Sequence, residues 1–475
     1  MGRGGTGRPV VTLTGQLVEH VRALDYDRIP QAAREVARHV FLDGVGVTLA
    51  GATEPLGVGR LVTDYVRELA GAPQATVIGG GFRTSITDAA FANGTLAHAL
   101  DYDNTWYPMN HPTSPTLPAI LAIAEHYGHS GRDCLTALVA AFEVQSRLRM
   151  ASTGLHTGRG YHKPGTTGLM GAVAAGVKLF GLDATQAAMA FGIAGSRVGS
   201  LSLNTGTMTK SSHSGHAARM GLESALLAGR GWTATQDVFG PQGYFDTLLR
   251  DEQEPHLLVE GFADPLRMVD PGVGFKKHPS NYFTHRPIDA ALAIRGRPEF
   301  DASAVESVVV TFPELHYVDR PRPETGLDGK FSVQYTTAVA LLDGRVTIDS
   351  FTNERRFAAD VEAFLPKVTI RFDPSIPTEF LDLHVVVTVE QAGGVELTER
   401  VDQLTGMPGV PLTSAQLMEK FTACAGRVLA ADAVGELAGL LERIDELPGV
   451  SGVMDLARGD GAAQGAAPAG RKAGR

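Results

Sequence analysis

Histidine, lysine and aspartate recur where helices of small residues begin or end. The densest stretch is Phe91–Pro118, FANGTLAHALDYDNTWYPMNHPTSPTLP, which holds His98, Asp101, Asp103, Thr105, Tyr107 and His111. Later, His162 stands in GYHKPGTTG, Lys210, His213 and His216 in TKSSHSGHAARMG, and Lys276 and Lys277 in GFKKHPSNYF. Taken singly, each fits a plainer role: Asp and Asn cap helices and shape turns, and a lone lysine is usually solvated. Taken together, two histidines, two or more lysines and a carboxylate suit a small ligand with several carboxylates. Ammonium groups bind carboxylates and stabilise charge growing on an enolate oxygen. An imidazole near neutral pKa gives or takes a proton at carbon. The chemistry expected is proton transfer next to a carboxylate, with no cofactor and no metal. His111, His162, Lys210, Lys276 and Asp101 are the candidate catalytic residues; Thr105 and His213 are candidate substrate contacts.

The elements that must bring these residues together are mostly helical. LTGQLVEHVRAL, Ile29 to Leu49, and Leu61 to Leu69 have helical periods, with Pro30 at a helix start. FANGTLAHAL is helix until Asp101 breaks the pattern, and helix resumes over Leu117 to Tyr127 and Gly131 to Met150. Arg147 and Arg149 at the end of the latter suit a helix C-terminus. Lys210 and His213 fall at the N-terminal mouth of a further helix, an end that favours anions. The composition then changes. VESVVVTFP, KVTIRFD and LHVVVTVEQ alternate and are rich in valine, the pattern of strands, with a helix over Phe331 to Leu342 between them. The expectation is a mainly α protein with an α+β lid: a large all-helical domain over 10–270 and a smaller α/β lid domain over 271–404. A segment over 405–455 returns to the helical domain, and a disordered low-complexity tail occupies 456–475. Residues 1 to about 10 are expected to be disordered as well.

Bulk properties narrow the partners. The chain has 475 residues, 43% hydrophobic and 20% charged, with a net charge of −10. That charge and the lack of a long basic run exclude nucleic acid and anionic membrane as natural partners. Cys134 and Cys424 lie far apart in apolar helical contexts and suit core thiols. No apolar run is long and unbroken enough to span a membrane, and VVTLTGQLV is too polar for a signal peptide core; a cytoplasmic location is expected. Gly79, Gly80 and Gly81 do not form a dinucleotide fingerprint, and no phosphate loop or zinc-helix motif occurs.

Five ordered blocks resemble the MmgE/PrpD family: FANGTLAHALDYDNTWYPMNHPTSPTLPA, GYHKPGTTGLMGA, TKSSHSGHAARMG, FKKHPSNYFTHRPIDAA and FSVQYTTAVALLDG. The resemblance spans about 12 to 445. It implies a lyase acting on a small polycarboxylate, of the cis-aconitate decarboxylase or 2-methylcitrate dehydratase type. An epimerase of a dicarboxylate such as iminodisuccinate is the alternative, with a non-catalytic carboxylate-binding member as the rival class. It also implies a homodimer and an active site between the domains. By the same resemblance Tyr317 and Asn281 join the substrate contacts. Thr105 to Pro108 followed by His111-Pro112 is similar to the decarboxylase branch. Asn281 departs from that branch, which has a histidine there, and an amide does not carry a proton at neutral pH.

Overall fold

A computed structural model describes residues 12–152, 160–249 and 253–461 of the chain. The expected N-terminal leader and all of the tail beyond residue 461 lie outside them. Alanine, glycine and leucine at helical spacing build the first half. In order come α1 (Leu13–Ala23), α2 (Gln31–Gly51), α3 (Val58–Glu68), the hairpin β1 (Ala75–Val77) and β2 (Phe82–Thr84), α4 (Ile86–Ala99), the short strand β3 (Thr105–Trp106), α5 (Leu117–Tyr127), α6 (Gly131–Ala151), α7 (Thr167–Leu179), α8 (Ala184–Gly195) and α9 (Met208–Gly229). Local side chains fix several starts: Ser85 caps α4, and Ser130 with Asp133 and Asp183 with Gln186 form capping boxes on α6 and α8.

Two glycines set the spacing that matters most for the site. A Cβ on Gly94 of α4 would stand 2.8 Å from the Cα of Gly215 in α9, and one on Gly215 only 2.3 Å from the Phe91 carbonyl oxygen. The helices therefore pack backbone to backbone, which brings the end of α4 against the first turns of α9.

The second half opens with strand β4 (Val273–Gly274) and α10 (His285–Arg295). It continues with β5 (Val305–Phe312), α11 (Val333–Asp343), β6 (Val368–Phe372), β7 (Val385–Gln391) and β8 (Val395–Val401). The four long strands form one sheet in the order β6-β5-β7-β8, parallel between β5 and β6 and antiparallel elsewhere. Val308, Val310, Val385 and Val387 are fully buried against Ile288, Ile294 and Val339 from α10 and α11. Burying each such side chain contributes roughly 1.5–3 kcal/mol. Strand β8, VELTERV, was not expected from its sequence: it is a charged edge strand with little of its surface buried, and charge is how exposed edges are protected.

The chain then forms α12 (Ser414–Ala425), α13 (Ala431–Glu442) and α14 (Ser451–Arg458), which pack on the first half. Phe421 fills the space left by Gly46 of α2, and Asp445 pairs with Arg38 at 2.8 Å. Helix α14 corrects the expected start of the tail at 456. Ala457 is buried, and its carbonyl accepts from Gly79 N–H at 2.8 Å, so the apolar face of α14 carries order through Arg458. Cys134 and Cys424 are buried free thiols. No helix among the described residues is long and apolar enough to cross a membrane.

One small pairing ties the two halves at the site. β3 lies antiparallel to β4, with Thr105 opposite Gly274 and Trp106 opposite Val273. The polar loop after α4 and the lysine segment after β4 are thereby fixed side by side.

Candidate active site

Helix α4 ends at Ala99, and two residues later Asp101 turns into the left-handed region at φ +50°. Aspartate tolerates this conformation better than most residues with a Cβ. The carboxylate of Asp101 meets two lysines from distant parts of the chain. Lys210 Nζ, from the first turn of α9, lies 2.7 Å from Oδ1, and Lys276 Nζ, just after β4, lies 3.2 Å from Oδ2. Lys276 also donates to the Asp101 carbonyl. All three residues are buried.

A second layer of groups holds Lys210 from behind. His98, in the last turn of α4, approaches Lys210 Nζ at 2.8 Å through Nε2 and Asp103 at 2.9 Å through Nδ1. Asp103 also accepts from Ser114 at 2.7 Å, and Ser114 meets Ser214 of α9 at 3.0 Å. A donor at Nδ1 is the tautomer that leaves Nε2 free to accept from the ammonium group. His111 covers this layer: its Nδ1 comes to 3.3 Å of Asp103 without hydrogen-bond alignment, and its Nε2 to 3.8 Å of Asp101. His162, whose N–H is tied to the Ser200 carbonyl, places Nδ1 3.0 Å from Nδ1 of His213. The His98 ring centroid is 4.5 Å from that of His111 and 5.5 Å from that of His162.

Electrostatics follow from this packing. Burial alone would raise the Asp101 carboxyl, but Lys210 and Lys276, then His111 and His98, outweigh it and hold it far below the usual carboxylate range. Asp103 is likewise held low by His98 and His111 against its burial. Burial drives His98 down to about 4, with the Lys210 charge adding to it and Asp103 opposing. Burial also lowers His111 and, more strongly, His162, the latter with help from Lys210. His213 falls to about 4 for the same first reason. The imidazoles are thus neutral near pH 7, and the approach of a negatively charged ligand would draw protons onto them.

Of the residues singled out from the sequence, Asp101, His111, His162, Lys210, Lys276 and His213 meet in this cluster. Thr105 is buried beside it, and its hydroxyl donates to the Asn110 carbonyl, closing the loop that presents His111. Asn281 and Tyr317 lie together in the second half, where the exposed Tyr317 donates its phenol O–H to Asn281 Oδ1 at 3.1 Å. Lys277 and His278 turn instead to Asp289, and the exposed His216 packs on Phe91. His285 opens α10 against Tyr282, its ring nitrogens without hydrogen-bond partners.

The protein-family comparison covers the site residues other than Lys276, which falls between its two matches. The description "MmgE/PrpD N-terminal domain" matches residues 15–256, and "MmgE/PrpD C-terminal domain" matches residues 278–445. The chain belongs to the MmgE/PrpD family. Relatives include the cis-aconitate decarboxylase of Mus musculus, 30% identical over 461 residues that make up 94% of each chain. That of Homo sapiens is 29% identical over 94% of this chain and 95% of its own. The 2-methylcitrate dehydratase of Cupriavidus necator is 25% identical, over 82% of this chain and 85% of its own. This MmgE/PrpD member is an enzyme of the lyase class.

Within this cluster, two residues outside the candidate set are central: His98 and Asp103. His98 reads as one more position of an alanine-rich helix, and only its spacing from Asp103, across the end of α4, hints at a hydrogen-bonded pair. Donor atoms of His98, His111 and His162, and of His98, Asp101, Asp103 and His111, are close enough together to hold a metal ion. Lys210 stands within 2.8 Å of two of those donor atoms, and Lys276 lies beside Asp101. A dication there would face two ammonium groups, so the donor set suits an anion better.

Proposed function

We propose that the chain removes carbon dioxide or water from a small di- or tricarboxylate through an enolate-like carbanion, without a cofactor. The observation that carries this reading is the convergence of Lys210 and Lys276 on one buried carboxylate, with His98, His111 and His162 packed around it. A lysine ammonium has three donors. Lys210 spends two on His98 and Asp101, and Lys276 spends its bonds on Asp101, so each keeps an N–H for a substrate carboxylate.

Asp101, held ionised, keeps the two ammonium groups adjacent, and Asp103 fixes His98 so that Lys210 points forward. The substrate carboxylate raises the proton affinity of His111 and His162. In decarboxylation, the bond to the departing carboxylate breaks and leaves as carbon dioxide. Its electron pair moves onto the substrate skeleton as an enolate stabilised by the lysines, and a histidine delivers one proton to carbon. In dehydration, a histidine takes the proton next to the carboxylate, and the hydroxyl leaves with a proton from the other histidine. Decarboxylation is the first choice because the relatives carrying that name are the more similar ones over the full chain. Asn281 favours a second reading, a carboxylate-binding member that keeps the fold without turnover, since an amide delivers no proton to a carbanion at neutral pH. We further propose a cytoplasmic homodimer, with residues 271–404 acting as a lid over the helical domain.

Incubation with citrate, 2-methylcitrate, cis-aconitate and iminodisuccinate, followed by proton NMR, tests the proposal. Consumption of one with release of carbon dioxide or water supports it. Inertness of the folded protein toward all four contradicts it.

A further inference from the structure

The inner cluster is balanced in charge: Lys210 and Lys276 face Asp101 and Asp103, and the histidines are pushed toward neutrality. A ligand with two or three carboxylates needs more positive charge than this. Two further cations, Arg149 and Lys163, have no ion-pair partner among the described residues. Arg149, near the end of α6, is 6% exposed, and its polar contact among the described residues is the Met109 carbonyl, 3.4 Å from Nε. Its Nη1 is buried with no acceptor among the described residues. Lys163 follows His162 directly, and its Nζ has no hydrogen-bond or ion-pair partner among the described residues. Both residues flank the loop that carries His111. Arg149 reaches it at Met109, and the Lys163 carbonyl accepts at 3.2 Å from Thr167, whose hydroxyl is 3.2 Å from the Asn110 side chain.

We infer that Arg149 and Lys163 form a carboxylate subsite beside His162, which binds the carboxylate that Lys210 and Lys276 do not hold, and so selects tricarboxylates over dicarboxylates. This rests on the carboxylate-lyase reading and extends it to the substrate class. A buried guanidinium nitrogen without an acceptor is costly unless a ligand supplies one. The groups facing Lys163 from neighbouring elements are Arg149 of α6 and Lys210 of α9, both of its own sign. Burial, then these two charges, lowers Lys163 to about 7. Burial lowers Arg149 to about 10, opposed by Tyr107. A bound carboxylate would restore the proton to Lys163, so binding near pH 8 should take up a proton at this residue.

The test compares two unreactive probes, tricarballylate and glutarate, which differ by one carboxylate, in titration calorimetry on the full chain. The wild type should bind tricarballylate about tenfold to a hundredfold more tightly, the range expected for a charged hydrogen bond. In the double variant R149Q/K163Q that preference should vanish while glutarate affinity is kept, and K163R should retain it. Titration at pH 8 in buffers of different ionisation enthalpy should show less proton uptake for K163Q than for the wild type. If the double variant does not fold, R149Q and K163Q must each lower the preference singly. A preference that survives the charge removal, or equal weakening of both probes, overturns the subsite. Selective binding without turnover of any polycarboxylate would keep the subsite and remove the lyase reading; no binding of either probe to the wild type would remove both.

Discussion

Two buried aspartates joined through Tyr102 show how the number of cations decides what a buried carboxylate does. Asp43 of α2 has one lysine, Lys420, at 2.6 Å. Lys420 also donates to the Tyr102 carbonyl at 3.0 Å and lies 3.8 Å above the Tyr102 ring, so its donors are occupied. Burial still outweighs that lysine and raises Asp43. Asp101, the residue before Tyr102, has two lysines, and its carboxyl is driven in the opposite direction despite equal burial. One lysine closes a structural pair. Two lysines commit the carboxylate to its charge and leave donors for a ligand.

The largest effect should come from Lys210→Ala. Removing one preorganised donor from a growing negative charge commonly costs about 10²–10³ in rate, and here Asp101 and His98 lose their shared partner too, so turnover should disappear in an NMR assay. A near-wild-type rate would break the contrast with Lys420. Lys420→Ala should instead leave Asp43 buried and unpaired, lowering stability in urea unfolding by about 3–5 kcal/mol, while activity per folded molecule is unchanged. Loss of activity without loss of stability would place Lys420 in the site.

The pH dependence sharpens the same comparison. His98 titrates at about 4 when folded and near 6.5 when unfolded. The unfolded chain therefore binds more protons between these values, so stability falls as pH falls from about 6.5 through about 4. Asp101 and Asp103, depressed in the fold, add to the loss at still lower pH. Thermal melting against pH should show this slope, and His98→Gln should flatten its upper part. The smallest effect should come from Gly94→Ala. The added methyl pushes α4 from α9 and costs about 1–3 kcal/mol, with kcat reduced more than KM because His98 and Lys210 move apart.

The sequence patterns read most clearly where one periodicity dominates. Leu117–Tyr127 and the start of α6 follow from apolar spacing, and the valine-rich strands from alternation. Strand β8 was not legible, because a solvated edge strand has no buried face to print a pattern. In the site, Lys210 and His111 stand out as polar residues beside helices of small residues. His98 does not, because its role depends on how α4 approaches α9 across Gly94 and Gly215, a contact between segments far apart in the chain. Arg149 reads as a cation suited to a helix C-terminus, and only the packing of α6 shows it buried without a counterion among the described residues. Arg147, two residues earlier, is paired with Glu143 at 2.8 Å.

Solvent isotope incorporation reaches the central step directly. The substrate found in the panel would be turned over in deuterium oxide, with wild type and Lys210→Ala at equal folded concentration, and the product read by NMR. In decarboxylation the carbanion is quenched by a solvent-derived proton, so lysine-stabilised chemistry predicts deuterium at the carbon next to a carboxylate with the wild type and none with the variant; in dehydration the same label appears in recovered substrate. Equal incorporation by both proteins would contradict it.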